Sequence, residues 1–562
     1  MLRNDEFGPW NPGIESYVPK ELRHLATIFR AENVFTSIAA ATELRGLTGF
    51  SLSELVVFRP QRLTLHELLV RVTADFAVPD GTRIADLGLN FREIARLLLS
   101  RYLEPAMEAI VQTYVRALQD ANRTIESALS RLQRNWGPEE IAEIERMAAA
   151  SGAAAAVAGY KSLARVMSAL FTTQGAAWGT KDLIASMAAG LAGNDFGSDC
   201  VGQAIAPLLQ TAAREQGYKL LPRQEHPVVI NTKGPSASGK STLRPLQKKL
   251  AGDIGVQWSD FALISPDIWR KQLLDYASLG AAFKYAGAFT SDEVQTIDQK
   301  LDRYMAAKNR RGDMSHLLID RFRFDSFAPD SAEAGSNLLT RFGQTVYLFF
   351  VITPPEMLVE RAWQRGLEFG RYKAVDDTLA HSVEAYSGMP NVFFTWVCRS
   401  DKRIQFEFLD NTVRLGERPR TAAFGDNETF NVLDVKSMLD IDRYARIDVG
   451  ATAAQFLYPD RALLAPDRNV NFLKRCVATF HRVNFAEQAS GRIYLRIERG
   501  RPASKDGEAL DRAVESPDTL AAIRAVAPDA LTGSVPETQR AAYLAAREAS
   551  GPPTLGEWGP LT

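Results

Sequence analysis

The feature that most constrains this chain is a short run, Gly234-Pro-Ser-Ala-Ser-Gly239-Lys240-Ser241, set between a β-rich segment and a helix-like one. It meets the pattern G-x-x-x-x-G-K-[ST] at every fixed position. The apolar run Val228–Asn231 before it reads as a strand, and the segment from Ser241 to Leu250 after it reads as a helix. Glycines in such a loop let backbone N–H groups turn inward around an anion, and the helix N-terminus adds a positive end. The expected setting is a strand–loop–helix unit of an α/β sheet, and the expected ligands are ATP and Mg²⁺. Contacts to the nucleotide are expected from Gly234, Pro235, Ser236, Ala237, Ser238, Gly239, Lys240, Ser241 and Thr242. In this pattern the lysine reaches the β- and γ-phosphates, and the serine hydroxyl ligates the metal. Pro245 falls in the first turns of the following helix, where it removes a donor and predicts a distorted start.

At 562 residues the chain is too long for one core, and length alone suggests about three or four units. Residues 1–22 are punctuated by Pro and Gly and read as loose. Residues 23–222 carry helical periods, with Pro105 a predicted break, Gly137-Pro138 a predicted restart and an Ala-rich helix expected over Met147–Tyr160. Residues 223–450 alternate β-rich runs with helical ones, the signature of a doubly wound parallel sheet. The expected strands are Val228–Asn231, Phe261–Ser265, His316–Asp320, Thr345–Ile352, Asn391–Val397 and Ile404–Leu409. Residues 451–500 read as an α/β extension, with a helix over Asn471–Arg482 and a strand over Arg492–Ile497. The Ala/Pro/Gly/Glu-rich stretch 501–562 is expected to be partly disordered.

Composition narrows the classes of partner. With 66 basic and 67 acidic residues there is no global field to hold a polyanion, which disfavours a dedicated nucleic-acid binder. No apolar run approaches the roughly 20 residues a bilayer needs, so no membrane partner is expected. Three scattered cysteines and six dispersed histidines lack disulfide or zinc spacing, and the thiols are expected to be free and buried. The N-terminus shows no apolar signal region, which implies cytoplasmic synthesis and leaves specialised secretion open.

A second constellation follows the next strand. Leu263-Ile-Ser-Pro-Asp267-Ile-Trp-Arg270 puts a carboxylate at a strand end, 27 residues after Lys240. At that edge of a doubly wound sheet a carboxylate can take the proton of an acceptor hydroxyl, or it can cap the next helix; both roles stay open. Thr353-Pro-Pro-Glu356 reads as a capping box, and the helix it opens carries Arg361 and Arg365 on one face. Arg371 follows Gly366 and Gly370. Guanidinium groups suit the charge that spreads over a transferred phosphoryl group, although pairing with Glu360 and Glu368 would also account for them.

Together these segments resemble the zeta-toxin family of P-loop kinases over roughly residues 226–415. Asp267-Ile-Trp269-Arg270 matches the family's base and neighbouring arginine, so the resemblance implies Asp267 as base and Arg270 as a substrate contact. Phe289-Thr-Ser-Asp-Glu293 resembles the segment with its substrate-binding acid, which implies that role for Glu293. Glu360–Arg371 is similar to its arginine-bearing lid, and Leu409-Asp410-Asn411 to its last strand. The long region before the P-loop is similar in layout to type III effector kinases of plant pathogens that phosphorylate NAD. Core members phosphorylate UDP-N-acetylhexosamines. The resemblance therefore implies a kinase acting on a hydroxyl of a nucleotide-like small molecule, NAD or UDP-sugar in type, with an antitoxin or chaperone as partner. One departure stands out: where the family has acid-Gly-Thr, this chain has Asp320-Arg321-Phe322-Arg323. Asp320 can still serve as the acid near Mg²⁺, but the threonine contact is missing. A polynucleotide or protein kinase, favoured by the basic residues His481, Arg482, Arg492, Arg496, Arg499 and Arg501, and a regulatory P-loop ATPase remain alternatives.

Overall fold

The computed structural model of the chain describes residues 7–83, 85–133, 135–320, 336–414, 416–544 and 554–560. Arg321, Phe322 and Arg323 lie outside the described residues. The protein is mixed α/β and divides into two compact units, one joining Val18–Leu220 with Pro266–Tyr304, the other joining Met1–Tyr17, Leu221–Ser265 and Met305–Thr562.

The first unit opens with α1 (Ile38–Thr48), α2 (Leu52–Leu55) and α3 (Pro60–Asp75), followed by α4 (Asp86–Leu98), α5 (Met107–Arg131) and α6 (Pro138–Ala150). It continues through α7 (Ala154–Gln174), α8 (Lys181–Ala192) and α9 (Ser198–Gln216). Proline at the first turn of α3 costs no intrahelical bond, and every residue from Leu63 to Ala74 is buried. A helix buried all round is a core element, and α9 and α5 pack on it. The predicted break at Pro105 appears as a single π-turn, Leu99–Leu103, before α5 restarts at Met107. At the predicted restart, the Glu140 carboxylate accepts the Gly137 N–H at 2.8 Å. The single helix expected over Met147–Tyr160 is instead two: α6 stops at Ala150 and α7 begins at Ala154, where Ser151 and Gly152 weaken the helix.

In the second unit the chain runs β1 (Val228–Lys233), α10 (Arg244–Asp253) and β2 (Phe261–Ile264). It then leaves for the first unit, contributing α11 (Arg270–Leu273), α12 (Ala286–Phe289) and most of α13 (Ser291–Arg310). The sheet resumes with β3 (His316–Asp320) and β4 (Thr345–Ile352), then α14 (Pro355–Phe369), α15 (Val375–Val397) and β5 (Arg403–Asp410). Next come β6 (Arg420–Asp426), β7 (Thr429–Val432), α16 (Val435–Tyr444), α17 (Asn471–Thr479), β8 (Arg482–Ala486) and β9 (Arg492–Glu498). The last elements are β10 (Arg501–Lys505), α18 (Gly507–Ala513), α19 (Pro517–Val526) and β11 (Ala542–Tyr543).

Among the described residues these strands form one eleven-stranded sheet, ordered β10-β9-β8-β7-β6-β5-β4-β1-β3-β2, with β11 on β9. The stretch β5-β4-β1-β3-β2 is parallel throughout. Its strands are almost continuously apolar and buried, as a covered parallel sheet requires. The parallel expectation ends there. From β5 onward the pairs are antiparallel except β7–β8, so the sheet as a whole is mixed. One strand expectation is also corrected. Asn391–Val397 is no strand but the last two turns of α15, whose Phe393 packs among Phe350, Phe406 and Phe408. The stretch after residue 500 contains β10, α18 and α19, with Arg492 holding Asp506 at 2.7 Å. Cys398, expected to be buried, is exposed, whereas Cys476 is buried.

Candidate functional site

The sheet register brings the loop Gly234–Ser241 to one edge. The loop leaves β1 between its parallel neighbours β3 and β4, the point in an open α/β sheet where ligands bind beyond the strand ends. Thr232 of β1 pairs with Asp320 at the end of β3. The Ser241 hydroxyl then lies 3.1 Å from Asp320 Oδ2, donating to it. A hydroxyl and a carboxylate at that separation are two oxygen donors able to share one divalent cation, the donor set Mg²⁺ prefers.

The loop itself is tightly bounded. A Cβ at Gly234 would meet Ser238 Oγ at 2.8 Å and the Val351 carbonyl at 3.0 Å. Gly239 has φ +94°, and a Cβ there would run into Asn411 Nδ2. Ala237 also takes a left-handed φ of +66°. Lys240 Nζ donates to the carbonyls of Gly234 and Pro235 at 2.9 Å each, spanning the loop from inside. After Gly239 the chain makes a 3₁₀ turn, Lys240–Leu243, before α10 begins at Arg244. Pro245 therefore falls at the second position of α10, where its missing N–H costs nothing, and the distortion it predicts is this 3₁₀ entry.

Arg361 and Arg365 both point from α14 to this loop. Arg361 Nη2 donates to the carbonyls of Asn411 (2.9 Å) and Val413 (2.8 Å), and Nη1 lies 3.5 Å from the Ser238 carbonyl. Burial lowers the Arg361 pKa, with Asp410 opposing. Arg365 Nη2 lies 3.5 Å from Ser236 Oγ. Arg371 follows Gly370, the left-handed cap that ends α14. Thr353 does not form the predicted cap. Its hydroxyl instead donates to the Ser238 carbonyl at 3.3 Å, and Pro354 is the cap residue.

The remaining candidates belong to the helical unit. Asp267 lies in a 3₁₀ turn, Pro266–Trp269, and does not cap α11, whose cap residue is Trp269. Its half-exposed carboxylate accepts Arg270 Nε at 2.8 Å, while Arg270 Nη1 donates to the Gly287 carbonyl and the Thr290 hydroxyl. Glu293, on α13, is fully buried. Its Oε1 faces Arg62 Nε (2.5 Å) and His66 Nε2 (2.7 Å) from α3, and its Oε2 accepts Arg62 Nη2 (2.7 Å). The pairing with Arg62 and His66 outweighs desolvation and holds Glu293 well below the usual carboxylate range. Burial, reinforced by the Lys300 charge, lowers His66 to about 4. Beside them, the Ser198 hydroxyl donates to Glu67 and Lys300 donates to Ser198, each at 2.6 Å; Glu67 also pairs with Arg71.

This network has a pH consequence. The unfolded chain protonates His66 near 6.5 and the folded one only near 4, so between these values protons favour unfolding. The contribution is complete above pH 6.5 and is lost as pH falls toward 4, by about 3 kcal/mol. Glu293 adds loss in the same direction, below the usual carboxylate range. Asp199, raised to about 6 by desolvation, acts oppositely in an overlapping window. The measurement is therefore a difference: protection of the α3 amides against hydrogen exchange, corrected for intrinsic rate, is expected to fall more steeply from pH 7 to 4 in the native chain than in His66→Gln.

The basic residues of β8–β10 are largely matched. Arg482 faces Glu498, Arg492 faces Asp506 and Glu508, and Arg496 donates to Asn484. That weakens the nucleic-acid alternative. No helix among the described residues is long and apolar enough to cross a membrane.

Compared with known proteins, the chain matches no family model and no curated protein. Among solved structures, a chain from the chromosomal PezAT toxin–antitoxin system of the human pathogen Streptococcus pneumoniae is similar over 37% of this chain and 77% of that one. Identity is 18% and the TM-score 0.23. A likeness of that size assigns neither fold nor activity.

Proposed function

We propose that this chain is an ATP-dependent kinase that transfers the γ-phosphoryl group to a hydroxyl of a nucleotide-linked small molecule. The observation that carries the reading is the 3.1 Å approach of the Ser241 hydroxyl, in the turn that follows the loop after β1, to Asp320 at the end of the adjacent parallel strand β3. Those two residues would hold Mg²⁺, which supplies charge neutralisation at the phosphates. Lys240 exchanges its two carbonyl partners for β- and γ-phosphate oxygens. The acceptor oxygen bonds to the γ-phosphorus as the β–γ bridging bond breaks and ADP leaves; the acceptor proton passes to Asp267. Because Arg361 is committed to backbone carbonyls, the clamp on the transferred group falls to Arg365 and Arg371. Arg270, which donates to Asp267, would contact the substrate beside that carboxylate.

The test is mass spectrometry of a cell extract incubated with the protein and ATP: a metabolite heavier by one phosphoryl group is expected. Hydrolysis without such a product would favour a regulatory nucleotide switch. Asp267→Asn is expected to lower kcat by about 10²- to 10⁴-fold, the range for loss of a general base. Full transferase activity in that variant would remove Asp267 from the mechanism.

A further inference from the structure

One carbonyl in the P-loop, that of Ser238, is claimed by three side chains from outside the loop. Asn411 Nδ2 donates to it at 2.6 Å, the Thr353 hydroxyl at 3.3 Å, and Arg361 Nη1 lies at 3.5 Å. These come from the ends of two neighbouring strands, β4 and β5, and from α14. Each is itself fixed. The Asn411 N–H donates to the Ile352 carbonyl at 2.9 Å, and the Asn411 carbonyl accepts Arg361 Nη2. Thr353 is held at both backbone groups by Tyr386, whose hydroxyl accepts the Thr353 N–H at 2.7 Å and donates to its carbonyl at 2.8 Å. Ser238 and Thr353 are fully buried and Asn411 is 6% exposed, so this is a built arrangement inside the protein.

The chemical consequence follows from the peptide bond. It is planar, and trans here, so the carbonyl of Ser238 and the N–H of Gly239 point in opposite directions. Pulling the carbonyl toward Asn411 and Thr353 turns the Gly239 N–H the other way, into the concave side of the loop where an anion is bound by backbone donors. Asn411 also presses against Gly239 where a Cβ would stand, which fixes the φ of +94° the turn needs.

We infer that Asn411, seconded by Thr353 and Arg361, is a positioning residue of the phosphate site that sets the direction of the Gly239 N–H donor. The inference rests on the nucleotide-binding reading given above. It also explains why an arginine of the lid-like segment is committed to carbonyls: it locks β5 to the loop.

The experiment measures binding of MgATP by calorimetry, and unfolding of the ligand-free protein, for the native chain, Lys240→Ala, Asn411→Asp and the pair Thr353→Val and Thr353→Ser. Asn411→Asp is isosteric but puts an acceptor against the Ser238 carbonyl. It is expected to raise the Kd for MgATP at least tenfold at a temperature where the ligand-free variant, somewhat less stable than the native chain, is still fully folded. Thr353→Val should repeat the loss in smaller measure, and Thr353→Ser, which keeps the hydroxyl, should reverse it. A native Kd in Asn411→Asp, or a Kd that changes only where the melting temperature collapses, overturns the positioning role. Failure of the native chain to bind MgATP at all would instead overturn the nucleotide-binding reading beneath it, so the two failures are distinguishable.

Discussion

Lys240→Ala is expected to remove nearly all phosphoryl transfer while leaving the protein folded. Lys240 Nζ is the cation at the centre of the loop, donating to the Gly234 and Pro235 carbonyls at 2.9 Å, and no other lysine follows a loop of this kind in the chain. A preorganised cation aimed at developing phosphate charge is worth about 10²- to 10³-fold in kcat when removed singly, roughly 3–4 kcal/mol of barrier. The fold cost is small by comparison: Gly234 and Pro235 are buried, but the Pro235 carbonyl keeps the Ser238 N–H at 3.3 Å, so the loss is about the 1–3 kcal/mol of one unsatisfied acceptor. The check is single-turnover transfer from labelled ATP, with the extract metabolite found by mass spectrometry as acceptor. Transfer within a factor of about three of the native rate, a difference below 1 kcal/mol, would mean that the loop does not serve catalysis.

The P-loop was legible because its chemistry is contiguous. Gly234, Gly239, Lys240 and Ser241 sit in one run, and the apolar strand before them announces their setting. The acid opposite them was legible for a related reason: His316–Asp320 is an unbroken apolar strand ending in a carboxylate, and a parallel partner strand must end at the same edge. What failed was whatever depended on a distant partner. The partners of Arg361 were hidden for that reason: sequence shows a charge and not the backbone carbonyls of Asn411 and Val413 that receive it. Thr353 fitted a cap pattern, yet its hydroxyl is drawn to the Ser238 carbonyl. Asn391–Val397 reads as a strand because a short apolar aromatic run has no period of its own; burial on all sides made it the end of a core helix, Pro390 notwithstanding. The strands β6, β7 and β8 were missed because residues such as Gly425, Asn431 and Asn484 interrupt their apolar runs and weaken a strand signal. Nothing local marks Pro266–Tyr304 as part of the helical unit either. That assignment depends on Glu293 meeting Arg62 and His66, more than two hundred positions away.

That meeting supports the second large effect. Glu293→Ala is expected to destabilise the helical unit by about 3–5 kcal/mol, the range for removing one partner of a buried ion pair. The variant strands Arg62, only 10% exposed at its side chain, with no carboxylate to face, and removes the acceptor of the buried His66 Nε2. Of Arg62's remaining contacts the Leu273 carbonyl at 3.0 Å is a neutral acceptor and cannot replace the lost charge. Replacing both ends with apolar groups, Arg62→Met with Glu293→Leu, should cost less than Glu293→Ala alone, since no buried charge is then left uncompensated. The readout is hydrogen exchange of the α3 and α13 amides, which reports the opening free energy of this unit separately from the sheet. A carboxylate that served only to bind substrate would give the opposite pattern: Glu293→Ala would exchange like the native chain and raise KM alone. Because Glu293 is fully buried with both oxygens engaged, the expected result is early exchange across α3 and α13, and a double variant that recovers most of the loss.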